Sequence, residues 1–224
     1  MCKFTEHDGK VIVSLQPQHC LHVRRNVPIH ASSRIRQSVI TPVPWQATLA
    51  RIFNNLLFML RVSTEYANSR VELACPGGKQ IVTIELAEGE CMAVSLSHLI
   101  AFTRTRFRSC ANFSLAAFAC DRNFSTVVYG PGIVFLQTNG NHRLHTSGAV
   151  TTSPHQLVAW DPKLRFQLDH VNDLMDLYLN KARITCQFTP KIRPLLVDSV
   201  PKEGSDTSNP LFSFIRSIYL PRFH

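Results

Sequence analysis

The chain repeats its own pattern. A repeat built from short strand-like pieces confines it to folds in which like units bury one face against the next. Leu86-Ala87-Glu88-Gly89-Glu90-Cys91-Met92-Ala93-Val94 lies over Leu15-Gln16-Pro17-Gln18-His19-Cys20-Leu21-His22-Val23 with leucine, cysteine and valine coincident. Leu99-Ile100-Ala101-Phe102-Thr103 lies over Leu157-Val158-Ala159-Trp160-Asp161, and the same 58-residue shift carries Leu86 onto Leu144. Each unit reads as strand, tight turn, strand, turn, strand, near residues 11–35, 80–107 and 133–168. The first unit has drifted furthest, at Val27-Pro28-Ile29-His30.

The units are β in character. Lys79–Leu86 alternates, with Ile81, Thr83 and Glu85 on one side and Val82, Ile84 and Leu86 on the other, the period of an extended strand. Apolar groups on both sides suit a sandwich more than a sheet open to water. Val11–Leu15, Cys91–Leu96, Leu99–Thr103, Ser125–Tyr129, Ile133–Thr138, Gln156–Trp160, Leu164–Leu168 and Ala182–Phe188 read as further strands. Pro76-Gly77-Gly78, Gly130-Pro131-Gly132, Asn139-Gly140-Asn141 and Asp161-Pro162 supply the turns between them. Many short strands at this spacing predict a mainly all-β sandwich or barrel.

One segment has a different period. Trp45, Leu49, Ile52, Phe53, Leu56, Leu57 and Leu60 recur in steps of three and four across residues 45–62, behind Pro44, which predicts an inserted amphipathic helix. Its apolar face packs on the sheet or at a subunit contact; the alternative is a helix lying on a membrane surface, because Arg51 and Arg61 flank it. The domain reading is therefore a β-repeat core over residues 1–170 carrying that insertion, and a C-terminal extension over 171–224. Asn209–His224, aromatic and basic behind a polar linker, is a candidate terminal helix ending before Pro221.

Composition narrows the partners. The 224 residues, 45% of them hydrophobic, are enough to bury a real core. With 24 Lys+Arg against 15 Asp+Glu the chain carries a formal charge of +9, which favours anionic partners: nucleic acid, anionic lipid or an acidic protein face. The seven cysteines are odd in number and follow no secretory signal, so they read as free thiols in a reducing compartment. No apolar run reaches the roughly 18 residues of a membrane span, and MCKFTEHDGKVIVSL shows no evident presequence.

The chemistry-bearing residues point away from catalysis. His19-Cys20-x-His22 has donors close enough to suggest a metal site with His142 and His145, but no CxxC or HExxH occurs, and His19 and His22 in an alternating strand point to different faces. No G-x-S-x-G elbow occurs either. Glu88 and Glu90 sit at a turn, where exposed carboxylates are ordinary. Gly130-Pro131-Gly132 enters a strand and lacks the lysine of a phosphate loop. No catalytic, cofactor-binding or metal-binding residue is assigned, and the chain reads as non-enzymatic. Thr103-Arg104-Thr105-Arg106-Phe107-Arg108 is more informative, because alternation puts Arg104, Arg106 and Arg108 on one face beside Phe107. That comb either contacts phosphate of lipid or RNA or guards a sheet edge by charge. Arg24, Arg25, Arg34 and Arg36 form a second cluster of the same kind.

Several stretches resemble one known family. Pro76-Gly77-Gly78-Lys79-Gln80-Ile81-Val82 with Glu85-Leu86-Ala87-Glu88-Gly89-Glu90 is similar to its P-x-G-K-I-V … E-L-x-x-G-E stretch. Gly130-Pro131-Gly132-Ile133-Val134-Phe135-Leu136 resembles its G-x-G-x-V-F-L strand, and His155-Gln156-Leu157-Val158-Ala159-Trp160-Asp161 its H-L-V-A-W-D segment. The chain thus resembles the altered inheritance of mitochondria protein 24 family over roughly residues 10–170, departing from it at Ser147-Gly148 and after Val171. The resemblance implies repeated short double-stranded β-helix units, a fold like that of the tryptophan RNA-binding attenuation protein. It also implies a homo-oligomeric, non-catalytic mitochondrial protein peripheral to the inner membrane, supporting membrane organisation and respiratory function through an inner-membrane protein complex or anionic lipid. The alternatives are a nucleic-acid-binding β-ring and a bacterial cytoplasmic member of unknown function.

Overall fold

The structure is a computed structural model that describes residues 3–7, 9–32, 35–40, 58–66, 69–75, 79–111, 124–153, 156–164, 167–168, 186–188 and 195–200. These residues form antiparallel strands in chain order: β1 (Lys3–His7), β2 (Lys10–Leu15), β3 (Cys20–Arg24), β4 (Ile29–Ala31), β5 (Ile35–Ile40), β6 (Met59–Thr64) and β7 (Ser69–Ala74). There follow β8 (Gln80–Leu86), β9 (Cys91–Val94), β10 (Leu99–Thr103), β11 (Arg106–Ala111), β12 (Phe124–Tyr129) and β13 (Gly132–Thr138). The last six are β14 (His142–His145), β15 (Val150–Thr152), β16 (Leu157–Trp160), β17 (Gln167–Leu168), β18 (Cys186–Phe188) and β19 (Leu195–Asp198). The expected all-β fold is what the chain adopts.

Four sheets result, ordered β1-β2-β7-β4, β5-β6-β3-β10-β13-β8, β11-β12-β9-β16-β19-β14 and β15-β18-β17. The two six-stranded sheets are assembled alike. Val23 of β3 faces Ala101 of β10, and Val94 of β9 faces Ala159 of β16. The pairing of β10 with β13 slips between Leu99 and Ala101, and that of β16 with β19 slips between Leu157 and Ala159. Strands β18 and β19 lie beyond residue 170, yet they pair with β15 and β17 and with β14 and β16. They are part of the sheets rather than an appendage to them.

Strand periodicity explains the core. Val11, Val13 and Leu15 on β2 are all fully buried while their neighbours face out, and they meet Leu21, Val23, Val71, Leu73, Ile100 and Phe135 in one cluster. A second cluster gathers Leu86, Met92, Leu99, Phe102, Phe107 and Leu136, and a third Ala93, Val127, Leu157 and Trp160. Burying each large side chain contributes about 1.5–3 kcal/mol. Gly130 is required where the sheets come close, because a Cβ there would run into the carbonyl oxygens of Ala87 and Leu86.

The expected inserted helix is not what the described residues form. No helix of seven or more residues occurs among them, and the end of the expected helix is strand β6, with Leu60 facing Val23 and Val62 facing Leu21. Met59 and Val62 are buried, and Leu60 is half-buried, in that strand. Long-range ladder hydrogen bonds and burial against β3 override the local period of three and four. Trp45, Leu49, Ile52, Phe53, Leu56 and Leu57 lie outside the described residues, as does Asn209–His224. A single 3-10 turn at Leu96–His98 stands where β9 was expected to continue to Leu96.

Candidate anionic-contact surface

The arginine comb is built by the strand that carries it. Thr103 ends β10, Arg104 takes a left-handed φ of 41°, and the Thr105 amide turns back onto the Thr103 carbonyl. The amide of Ile133 donates to Thr103 Oγ1 at 3.0 Å, which fixes the corner from the neighbouring strand. Past it, Thr105 and Phe107 are buried, 7% and 5% exposed, while Arg104, Arg106 and Arg108 are exposed. The ring of Phe107 meets Phe102 edge-on at 4.6 Å, and His22 stacks on Phe102 at 4.8 Å. This aromatic row anchors β11 and turns its arginines outward.

Strand β11 is the outer strand of its sheet, paired only with β12 among the described residues. No salt bridge ties Arg104, Arg106 or Arg108 to a described carboxylate.

The second basic cluster dissolves into separate roles. Arg24 is half-buried and its Nη1 donates to the Ser97 carbonyl at 3.1 Å, clamping β3 to the 3-10 turn. Arg36 pairs with Glu65 at 2.8 Å on an open surface, Arg25 is exposed, and Arg34 lies outside the described residues. Proximity in sequence gave these arginines a common look that the β4 and β5 strands separate in space.

Other residues weighed in the sequence have structural partners. Glu90 Oε2 accepts from the Ala87 amide at 2.7 Å, closing the β8–β9 turn with Gly89 at φ 78°. Cys20, Cys75, Cys91 and Cys110 are free, partly buried thiols, and Cys91 and Cys110 pack against the third core cluster. No group of three or more His, Cys, Asp and Glu among the described residues is placed to hold a metal, so His19, Cys20 and His22 are not joined by His142 and His145 into a donor set. No helix among the described residues is long and apolar enough to cross a membrane.

Sequence reasoning missed one polar group of consequence. Asp198 is fully buried, and its carboxylate accepts from the amides of Asn139 at 2.6 Å, Gly140 at 3.1 Å and Val200 at 3.1 Å. The Asn139-Gly140 turn was legible; its acceptor, some sixty residues away, was not.

An antiparallel β protein with exposed arginines along an outer strand is the class that this geometry defines. The sequence profile of the mitochondrial biogenesis AIM24 family matches residues 6–191, and the chain belongs to that family. A comparison with curated proteins returns no match. Among solved structures, an X-ray crystal structure of a Streptococcus pyogenes protein superposes with a TM-score of 0.63 at 13% identity, covering 98% of this chain and 99% of that one. At that identity the likeness is one of fold.

Proposed function

We propose that this chain is a non-catalytic scaffold of mitochondria that supports inner-membrane organisation and respiratory function, peripheral to the membrane and acting through anionic lipid or an inner-membrane protein complex. The family is one of mitochondrial biogenesis, which supports the setting. The observation that carries the contact is the exposed Arg104 at the turn before an outer strand, with exposed Arg106 and Arg108 on that strand either side of buried Phe107. Arg106 and Arg108 along the extended strand stand about 7 Å apart, a spacing that suits a field of phosphate groups, and Arg is well adapted to phosphate contact.

The strand pairing also supports an internal repeat. From β2 onward the strands fall into three runs of six, over residues 10–74, 80–138 and 142–198. In each run the first and third strands pair with the sixth, and the second and fourth pair with the fifth. Successive runs join through β3 with β10 and β9 with β16. The corresponding edges at the two ends, β15 of the third run and β4 of the first, are terminal in their sheets. We propose that these edges pair between copies head to tail, giving a closed homo-oligomer, since open edges of this kind recruit further strands.

Fractionation of cells expressing the tagged protein tests the function. The expected result is protease-protected signal in mitochondrial membranes that charge-reversal of the arginine row reduces. A soluble pool outside mitochondria refutes the scaffold. Binding to RNA that falls steeply with salt, roughly one unit of slope lost per arginine removed, selects the nucleic-acid reading instead.

A further inference from the structure

At the corner where β10 gives way to β11, unused hydrogen-bonding capacity and uncompensated charge coincide. Leu21 of β3 faces Thr103 of β10, where their ladder ends; His19 lies two residues before Leu21, and Arg104 and Thr105 come directly after Thr103. His19 Nδ1 and Thr105 Oγ1 are both shielded from solvent, and neither has a hydrogen-bond partner in the protein. Thr105 as a residue is 7% exposed. Buried polar atoms are nearly always satisfied, by protein, water or a ligand; Thr105 follows Arg104 directly and the Arg104 charge acts on the His19 ring, so Arg104 links the two orphans.

The charge at this corner says what that something is. The guanidinium of Arg104 is exposed, its position fixed by the left-handed turn at φ 41°, and it acts on the ring of His19; burial first and that positive charge second hold the imidazole below its ordinary protonation range. Arg106 is the next exposed residue along the edge. A Cβ on Gly132 would strike the Thr103 carbonyl and the Thr105 methyl, so β13 packs tightly against the corner.

We propose that His19, Arg104 and Thr105 form a site for a single phosphate group, with Arg104 supplying charge and the imidazole and the Thr105 hydroxyl supplying hydrogen bonds. Phosphate fits because it offers several strong acceptor oxygens and a charge that guanidinium binds in preference to water. The group is either free phosphate or the terminal phosphate of a lipid headgroup. This deepens the anionic-contact reading above and shares with it only Arg104.

Titration of the labelled full chain with inorganic phosphate, followed by NMR at the His19 imidazole and the Thr105 amide, tests the site. Saturable shifts at both, with the His19 protonation midpoint rising as phosphate binds, are expected. Arg104→Gln should weaken binding about tenfold or more and Thr105→Val about threefold or more, His19→Gln should weaken it too, and Arg36→Gln should leave it unchanged. Thr105→Val is near-isosteric and Arg104→Gln alters an exposed side chain, so melting curves that match the parent keep a loss of binding interpretable. Absence of shifts at His19 and Thr105, or undiminished affinity in Arg104→Gln, overturns the proposal. A second arm uses phosphatidic acid vesicles against phosphatidylcholine vesicles. Competition of inorganic phosphate with phosphatidic acid assigns the site to a headgroup; phosphate binding without competition assigns it to free phosphate. Vesicle binding lost in Arg106→Gln/Arg108→Gln while the phosphate shifts are absent would uphold the membrane reading and sink this one.

Discussion

Cys75 illustrates how a side chain is defined by its surroundings rather than its type. It follows β7, packs against the first core cluster, and its thiol donates to Gln137 Oε1 at 3.9 Å. Burial pushes its thiol up to about 11, with Lys79 pulling weakly the other way. A raised thiol pKa leaves the neutral, unreactive form in place at neutral pH. At pH 8 the thiolate population is about a hundredfold below that of an unperturbed thiol. Iodoacetamide labelling read by peptide mass spectrometry should find Cys75 correspondingly slow, with the rate climbing as pH approaches 11; labelling as fast as a free thiol at pH 8 would show the site to be open. Cysteine in a β-prone run was readable from sequence as a small hydrophobe, but the apolar contacts that raise its pKa come from strands far along the chain. Asp198 teaches the same lesson: a lone aspartate at a strand end says nothing of three backbone amides that converge on it.

At the level of strands, the comb on β11 shows how an apolar residue positions polar ones. Phe107 points into the second core cluster, so its two neighbours in the strand have to point away. Phe107→Ala should destabilise the chain by about 3–4 kcal/mol in urea unfolding, because it removes an aromatic ring from a packed site. Arg106→Gln/Arg108→Gln should leave stability within about 0.5 kcal/mol, as exposed substitutions do, and yet lower binding to anionic vesicles. Equal loss of vesicle binding and of stability in the arginine variant would mean that the comb is structural. Alternation made this face legible before any coordinates, since the period of two is local. The segment at residues 45–62 shows the limit of that reasoning: β6 takes its conformation from pairing with β3 and β5, partners that lie about twenty to forty residues earlier and that no helical period in the segment reveals. Strand β5 was missed for a related reason, since Arg36, Gln37, Ser38 and Val39 are all exposed and carry no apolar alternation to betray a strand.

For the whole molecule, the recurrence of one pairing pattern turns sequence echoes into a claim about assembly. If β15 of one copy extends the sheet at β4 of another, proline scanned through Val150, Thr151 and Thr152, which removes the edge-facing amide at one or more of them, should at that position convert the oligomer to folded monomer in sedimentation velocity while far-UV circular dichroism is retained. A parent protein already monomeric at tens of micromolar would refute pairing between copies. The family match spans residues 6–191, and the Streptococcus pyogenes structure reaches the same fold at 13% identity, so the architecture depends on pattern more than on particular side chains.

The amino-acid sequence by itself determined the β class, most turns, the echo between Val23 and Val94 and between Ala101 and Ala159, and the outward face of Arg104, Arg106 and Arg108, because each rests on periods and turn chemistry that operate within a few residues. Tertiary structure alone decided that residues 59–64 are strand, that β18 and β19 enter the sheets, that Arg24 binds the Ser97 carbonyl while Arg36 meets Glu65, and that three backbone amides converge on Asp198. Those outcomes depend on which distant strand supplies the hydrogen bonds and the apolar cover, a competition that is settled only when the whole chain is packed.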